Sequence, residues 1–217
     1  IATRAMLGKT EGLKQNYRTL DLDHVGVKVS QFSFSRLNGA DPILGVEMAS
    51  TGEVACFGAD LHEAFLKAML SAGFIMPKKK HILLSIGRLE DKVAFLTAAQ
   101  KLHAMSYKLS ATEGTAQFLE ENKIPCRILA KVGEKSSKEP SLLEELGKHT
   151  IDLVINIPKT YSEEEITAGY RIRRKTIDLN IPLITNVQLA KVMVDALEKY
   201  TFDTLAIKDW AEYVPNA

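Results

Sequence analysis

The chain reads as an α/β protein built on a doubly wound parallel sheet, preceded by a smaller α+β segment. Three observations lead there. From His81 onward, short apolar or β-branched runs alternate with helix-length amphipathic stretches, the order that yields parallel strands with helices on both faces. Before His81 the spacing is irregular, and "MPKKK" at 76–80 separates the two parts as a linker. With 217 residues, 46% of them hydrophobic and 25% charged, the chain can bury a sizeable core.

Residues 1–9 read as the end of an amphipathic helix, and "HVGVKVSQFSFS" at 24–35 alternates as a strand does. Residues 40–58 carry strand and turn signals without a clean period. Residues 60–74 form a helix in this reading. Leu61, Phe65, Leu66 and Met69 share one face, Asp60 is the N-cap, and Gly73 lies near the C-terminus. Strands follow at 81–86, 107–112, 125–130, 151–156 and 181–185, with helices at about 90–105, 114–123, 139–148, 166–179 and 187–200. Right-handed crossovers make such an array Rossmann-like and five-stranded. The tail holds a short amphipathic piece with the single tryptophan, Trp210.

In an open parallel sheet, ligands bind beyond the C-terminal ends of the strands. Those ends read Ser85, Thr112 with Thr115, Lys131, Asn156 with Lys159, and Thr185 with Asn186. Thr112 and Thr115 flank Gly114 where a strand passes directly into a helix, so hydroxyls and backbone N–H groups can converge on an anion. Lys92 falls in the first turn of the preceding helix, where the macrodipole disfavours a cation. It is either a surface residue or aimed at a bound anion, as Lys131 and Lys159 would be. Such a set suits a phosphate or a dicarboxylate.

Other chemistries are poorly served. There is neither a GxxxxGK[ST] loop nor a GxGxxG turn. His62-Glu63 starts a zinc-peptidase helix motif, but Leu66 occupies the second histidine position. No Ser-His-Asp or Cys-His arrangement can be placed, and the five histidines form no cluster. Cys56 and Cys126 read as buried thiols in a reducing compartment, which makes the cytoplasm the expected location. The net charge of +1 gives no footprint for nucleic acid or an anionic membrane. No run approaches transmembrane length. The run "RIRRK" at 171–175 reads as a solvated helix face, or it places Arg173 or Arg174 at a domain interface or the ligand edge. The chain begins at Ile1 without an initiator methionine, as a processed or excised piece would.

Taken in order, "GADPILGVEMASTGEVACFG", "FLKAMLSAGF", "ILLSIG", "ATEGTA", "DLVIN", "YRIRR" and "IPLITN" resemble the C-terminal end of the large subunit, or fused chain, of carbamoyl phosphate synthetase. The resemblance implies that 1–76 is the remnant of the second ATP-grasp unit and that 77–217 is a methylglyoxal-synthase-like regulatory domain. It implies no cofactor in this piece, ATP with Mg or Mn in the parent enzyme, and an anionic effector in the crevice. The effector would be UMP or UTP, IMP or N-acetylglutamate. The matching positions are Ser85, Lys92, Thr112, Thr115, Lys131 and Asn156. In the N-acetylglutamate branch a tryptophan stands in place of Lys131, and asparagines correspond to Lys159 and, with an offset, Gly169. Lys131 thus resembles the nucleotide pattern. Val29, Leu183 and Ile184 replace the acidic and tyrosine ligands of the bacterial ornithine site. The crevice strand end "NIPK" lacks the aspartate that methylglyoxal formation needs. Implied partners are the rest of the synthetase, its glutaminase unit and a second copy of the chain, with the mitochondrial matrix as an alternative compartment.

Overall fold

The computed structural model describes residues 2–9, 22–43, 50–130, 140–159 and 163–213. Its elements run α1 (Ala2–Met6), β1 (Val25–Gln31), β2 (Gly52–Gly58), α2 (Leu61–Ser71), β3 (His81–Ile86), α3 (Leu89–Ala104), β4 (Lys108–Thr112), α4 (Glu113–Glu121) and β5 (Arg127–Leu129). Then come α5 (Leu142–Gly147), β6 (Leu153–Ile157), α6 (Glu163–Asp178), β7 (Leu183–Ile184), α7 (Val187–Lys199) and α8 (Trp210–Tyr213).

The five-stranded sheet has the order β5-β4-β3-β6-β7, with every adjacent pair parallel. The sheet is the one the alternation of patterns predicts. Alternate side chains of the central strands go to opposite layers, as the pleat requires. Ile82, Leu84 and Ile86 of β3, with Leu153, Ile155 and Ile157 of β6, pack with α2, α3, α4 and α7. Leu83 and Val154 face the other way, against Leu142 and Leu146 of α5 and Ile172 of α6. Burial on both faces explains the near-continuous apolar reading of these strands. Each fully buried leucine contributes about 1.5–3 kcal/mol of transfer free energy.

The N-terminal segment supplies an antiparallel pair, β1 with β2, in a register running from Val25↔Gly58 to Gln31↔Gly52. Asp60 caps α2 as expected, its Oδ1 accepting from the N–H groups of His62 (2.8 Å) and Glu63 (2.9 Å). Gly73 sits beyond the helix end with φ +96°, a left-handed position that suits glycine. The apolar face of α2 differs from the expected one. Ala64, Phe65, Leu66 and Ala68 are buried, whereas Leu61 is 47% exposed because it opens the helix at its solvent end. Phe65 and Leu66 belong to the same core as β3 and α7, so the apolar interior runs across the sequence boundary at residue 76.

Both cysteines are free and only half-buried. The basic run of α6 is no solvated face at two of its positions, because Arg173 and Arg174 are buried.

Candidate functional site: the crevice at the β3/β6 edge

The strand order turns in opposite directions from β3 and β6, which makes the gap beyond their C-terminal ends the topological switch point. Ser85 and Asn156 are register partners there. They share the parity of Leu83 and Val154 and therefore the face toward α6. The Ser85 hydroxyl has no hydrogen-bond partner among the described residues. Asn156 is 3% exposed, and its Oδ1 accepts from Arg173 Nη1 at 2.9 Å. A guanidinium only donates, so this bond fixes the amide with its oxygen toward α6 and its NH2 group elsewhere.

Immediately after β3, Gly87 lets the β6 loop pass close above it. A Cβ at this position would lie 2.4 Å from Lys159 Cβ and 2.5 Å from its backbone N and Cα. The Gly87 N–H also donates to Ile157 O at 2.9 Å. These contacts hold Lys159 at the mouth of the crevice, exposed and with no partner for its ammonium among the described residues.

The junction of β4 with α4 sits beside them. Pairing of β3 with β4 runs only to Leu84↔Ala111, and α4 begins at Glu113, so Ile86 extends beyond its neighbour strand. Thr115 fills the gap. Its Oγ1 accepts the Ile86 N–H at 3.0 Å and donates to Ile86 O at 3.2 Å. Thr112 completes its coordination by donating to Thr115 Oγ1 at 3.4 Å. With its hydrogen and both lone pairs committed, the Thr115 hydroxyl braces the strand end and is spent as a ligand donor. Thr112 makes no side-chain cap to α4, so no side chain of its own cap occupies the first-turn N–H groups. Lys92 lies across this helix start, Nζ donating to Gly114 O at 2.5 Å.

Ser85, Lys92, Thr112, Gly114, Thr115, Asn156 and Lys159 thus form one continuous edge. Lys131 lies outside the described residues. At the far side, Asn186 caps α7 by accepting the Leu189 N–H at 3.0 Å, and Thr185 lines a different cavity. Sequence reasoning missed Gly87 and Asp41, whereas the placement of Arg173 at an interface or the ligand edge is one of its two readings and agrees with the bonds to Asn156 and Asp41. A glycine directly between a strand and a helix was the available signal for Gly87.

That second cavity, about 540 Å³, lies between β1, α2, α6 and β7. Val29, Leu183 and Ile184 meet in it with Phe65 and Phe74, and its wall is mainly apolar. At the opposite, N-terminal end of β3, a Ser-His pair does occur: His81 Nε2 lies 2.8 Å from Ser110 Oγ, and Nδ1 lies 3.2 Å from Thr150 O. Ser110 is 1% exposed, so its hydroxyl cannot meet a substrate. Burial pushes the His81 imidazole below its usual range and keeps it neutral. No three His, Cys, Asp or Glu side chains among the described residues gather as a metal site. No helix among them is long and apolar enough to cross a membrane.

The fold and its polar edge define a doubly wound α/β domain with a polar crevice at the switch point of its sheet. Residues 94–185 match the family model of the MGS-like domain, and this part of the chain is an MGS-like domain. Over 193 residues the chain is 51% identical to multifunctional protein pyr-3 of Neurospora crassa, covering 86% of this chain and 10% of that protein. It is 48% identical to multifunctional protein URA2 of Saccharomyces cerevisiae, covering 100% of this chain and 11% of that protein. It is 40% identical to human mitochondrial carbamoyl-phosphate synthase (ammonia), covering 92% of this chain and 14% of that protein. The chain therefore spans about a tenth of the length of the curated relatives it matches.

Proposed function

We propose that the crevice receives an anionic effector, a uridine nucleotide such as UTP or UMP, and that its occupancy tunes ATP-dependent carbamoyl phosphate synthesis in a larger chain. One observation carries the reading. Ser85, the NH2 group of Asn156 and Lys159 lie at the switch point with donors that have no partner among the described residues, beside the side-chain-uncapped start of α4. Donors without acceptors at a helix N-terminus favour a phosphate. In this reading residues 1–76 are the tail of the ATP-grasp unit, ATP and its Mg or Mn bind elsewhere in the parent protein, and the pathway is pyrimidine synthesis in the cytoplasm. The resemblance of the relatives named as multifunctional proteins supports that assignment.

The likeness to the mitochondrial ammonia-type synthase favours a second occupant, N-acetylglutamate. Lys159, where the resemblance places an asparagine in that branch, weighs toward a phosphate. A phosphate-eliminating lyase is disfavoured by Asn156-Ile157-Pro158-Lys159, which brings no acid to the edge.

Calorimetric titration with UTP, UMP, IMP and N-acetylglutamate tests the reading, repeated on Lys159→Ala and Lys131→Ala. A charge-assisted hydrogen bond is worth about 1.5–3 kcal/mol, so Lys159→Ala weakens nucleotide binding by roughly 10- to 150-fold. Tight N-acetylglutamate binding moves the protein to the second reading. Silence from all four ligands leaves a structural domain.

A further inference from the structure

The arginine pair of α6 is the sequence motif that the crevice does not absorb. Arg173 is 1% exposed, and one planar guanidinium serves two parts of the molecule. Its Nε donates to Asp41 Oδ1 at 2.7 Å and its Nη2 to Asp41 Oδ2 at 2.6 Å. The third arm, Nη1, is the donor that holds Asn156. Asp41 also accepts the Ile43 N–H at 3.2 Å, so its carboxylate organises the local backbone.

Neighbouring side chains extend the clasp. Arg174 Nη1 donates to the carbonyls of Phe34 (3.1 Å), Leu37 (3.0 Å) and Ala40 (3.3 Å). Asp178 holds the same guanidinium through Nε at 2.9 Å. Tyr170 donates to Gly39 O at 3.0 Å. Tyr170, Arg173 and Arg174 stand three and four residues apart on one helical face, and that face grips residues 34–41. Gly169 leaves room for the fork, since a Cβ there would lie 2.8 Å from Arg173 Nη1.

We propose that Arg173 is a positioning residue that couples the crevice to the N-terminal segment: Asn156 and Asp41 bond the same guanidinium, so a change at either end moves the other. The angles between its N–H groups are fixed by the plane of the guanidinium. A rotation that follows Asn156 therefore tilts the two-pronged contact with Asp41. At the Asn156 end the bond is buried, so water does not replace it when it is lost. Linkage makes the effect reciprocal, so reseating residues 34–41 changes affinity at Asn156 by the same factor. This inference rests on the crevice reading for its ligand, though the contact chain itself does not.

The test is hydrogen exchange read by mass spectrometry on the full-length protein that contains this chain, at peptides covering 34–43, with UTP calorimetry in parallel. Asn156→Ala is expected to raise exchange in 34–43 at least threefold while β1 and β4 stay unchanged. Arg173→Lys, which keeps the charge but not the fork, does the same. Gly169→Ala provides a milder displacement of Nη1 should either variant fold poorly. UTP is expected to shift protection of 34–43 in the unmodified protein and to lose at least half of that shift in Arg173→Lys. Exchange in 34–43 that ignores Asn156→Ala and UTP, with UTP bound, overturns the coupling and leaves the crevice reading standing. No anion bound, but raised exchange in Asn156→Ala, supports the coupling and rejects the crevice reading.

Discussion

Thr115 makes the sharpest test of how this edge is built. Its hydroxyl bonds both backbone groups of Ile86, at 3.0 Å and 3.2 Å, and Thr115 itself is 2% exposed. Thr115→Val preserves the shape and removes the oxygen. Losing the acceptor of the buried Ile86 N–H then costs about 1–3 kcal/mol, and losing the donor to its carbonyl adds about 1 kcal/mol. A loss of about 2–4 kcal/mol lowers Tm by roughly 4–16 °C for a domain of this size. Thr115→Ser keeps both bonds and gives up one buried methyl, about 1 kcal/mol. Thermal and urea unfolding followed by circular dichroism therefore rank the valine variant well below the serine variant. Equal stability of the two, or a valine variant above the serine one, refutes the brace: the site would then be apolar packing and the hydroxyl incidental.

Gly87→Ala places a methyl 2.5 Å from the Lys159 backbone, so the β6 loop must shift. Such overpacking costs about 1–3 kcal/mol, and anion affinity is expected to fall with it in the same titrations. Stability is also expected to decline in two arms as pH falls. Burial holds His81 below its ordinary 6.5, so the unfolded chain takes up the proton first and stability is lost from about pH 6.5 downward. Glu145 is held below its ordinary 4.5 by the Lys148 hydrogen bond first and Arg127 next, and its contribution is lost below that value. Urea midpoints from pH 7.5 to pH 4 locate both arms, and His81→Gln is expected to flatten the upper one alone. The Cys126 thiol is pushed up to about 11, chiefly by burial. Iodoacetamide at pH 8 is expected to label it slowly when folded and much faster in urea, and equal rates would contradict that burial.

The five parallel strands were legible because burial on both faces writes an apolar run at each one, punctuated by helix starts. The short N-terminal pair was half legible: β1 alternates, whereas β2 lies in a stretch without a period. The resemblance carried by "ATEGTA" and "DLVIN" agrees with the MGS-like match at 94–185. At the edge, residue types announced where donors gather but not which of them are free. Thr115 looks in sequence like a second phosphate hydroxyl, and only the early end of β4 commits it to Ile86. For Arg173 the sequence left a solvated face and an interface position both open, because its partner Asp41 is 132 positions away, and neither periodicity nor local charge encodes a contact of that span. Leu61 failed for a related reason. A helix's first residue can share the apolar stripe and still project past the layer it packs against.

The placement of these groups bears on what the edge is suited to do. A catalytic crevice needs an acid or base near the reacting atoms with freedom to exchange a proton. Here, beside the Ser85 hydroxyl, three polar groups near the switch point carry structural contacts: a threonine committed to a strand end, an amide committed through its oxygen to a buried arginine, and a lysine set by a glycine contact. Each of them holds structure as well as facing the crevice. Under the proposed coupling, a ligand that bonds the Asn156 amide touches the same side chain that holds Arg173 and, through it, Asp41. A coupling of ~1–3 kcal/mol, the usual size of an allosteric effect, is about what one or two buried charge-assisted hydrogen bonds can transmit. Contacts of this number and strength are sufficient for the coupling proposed between the crevice and the N-terminal segment.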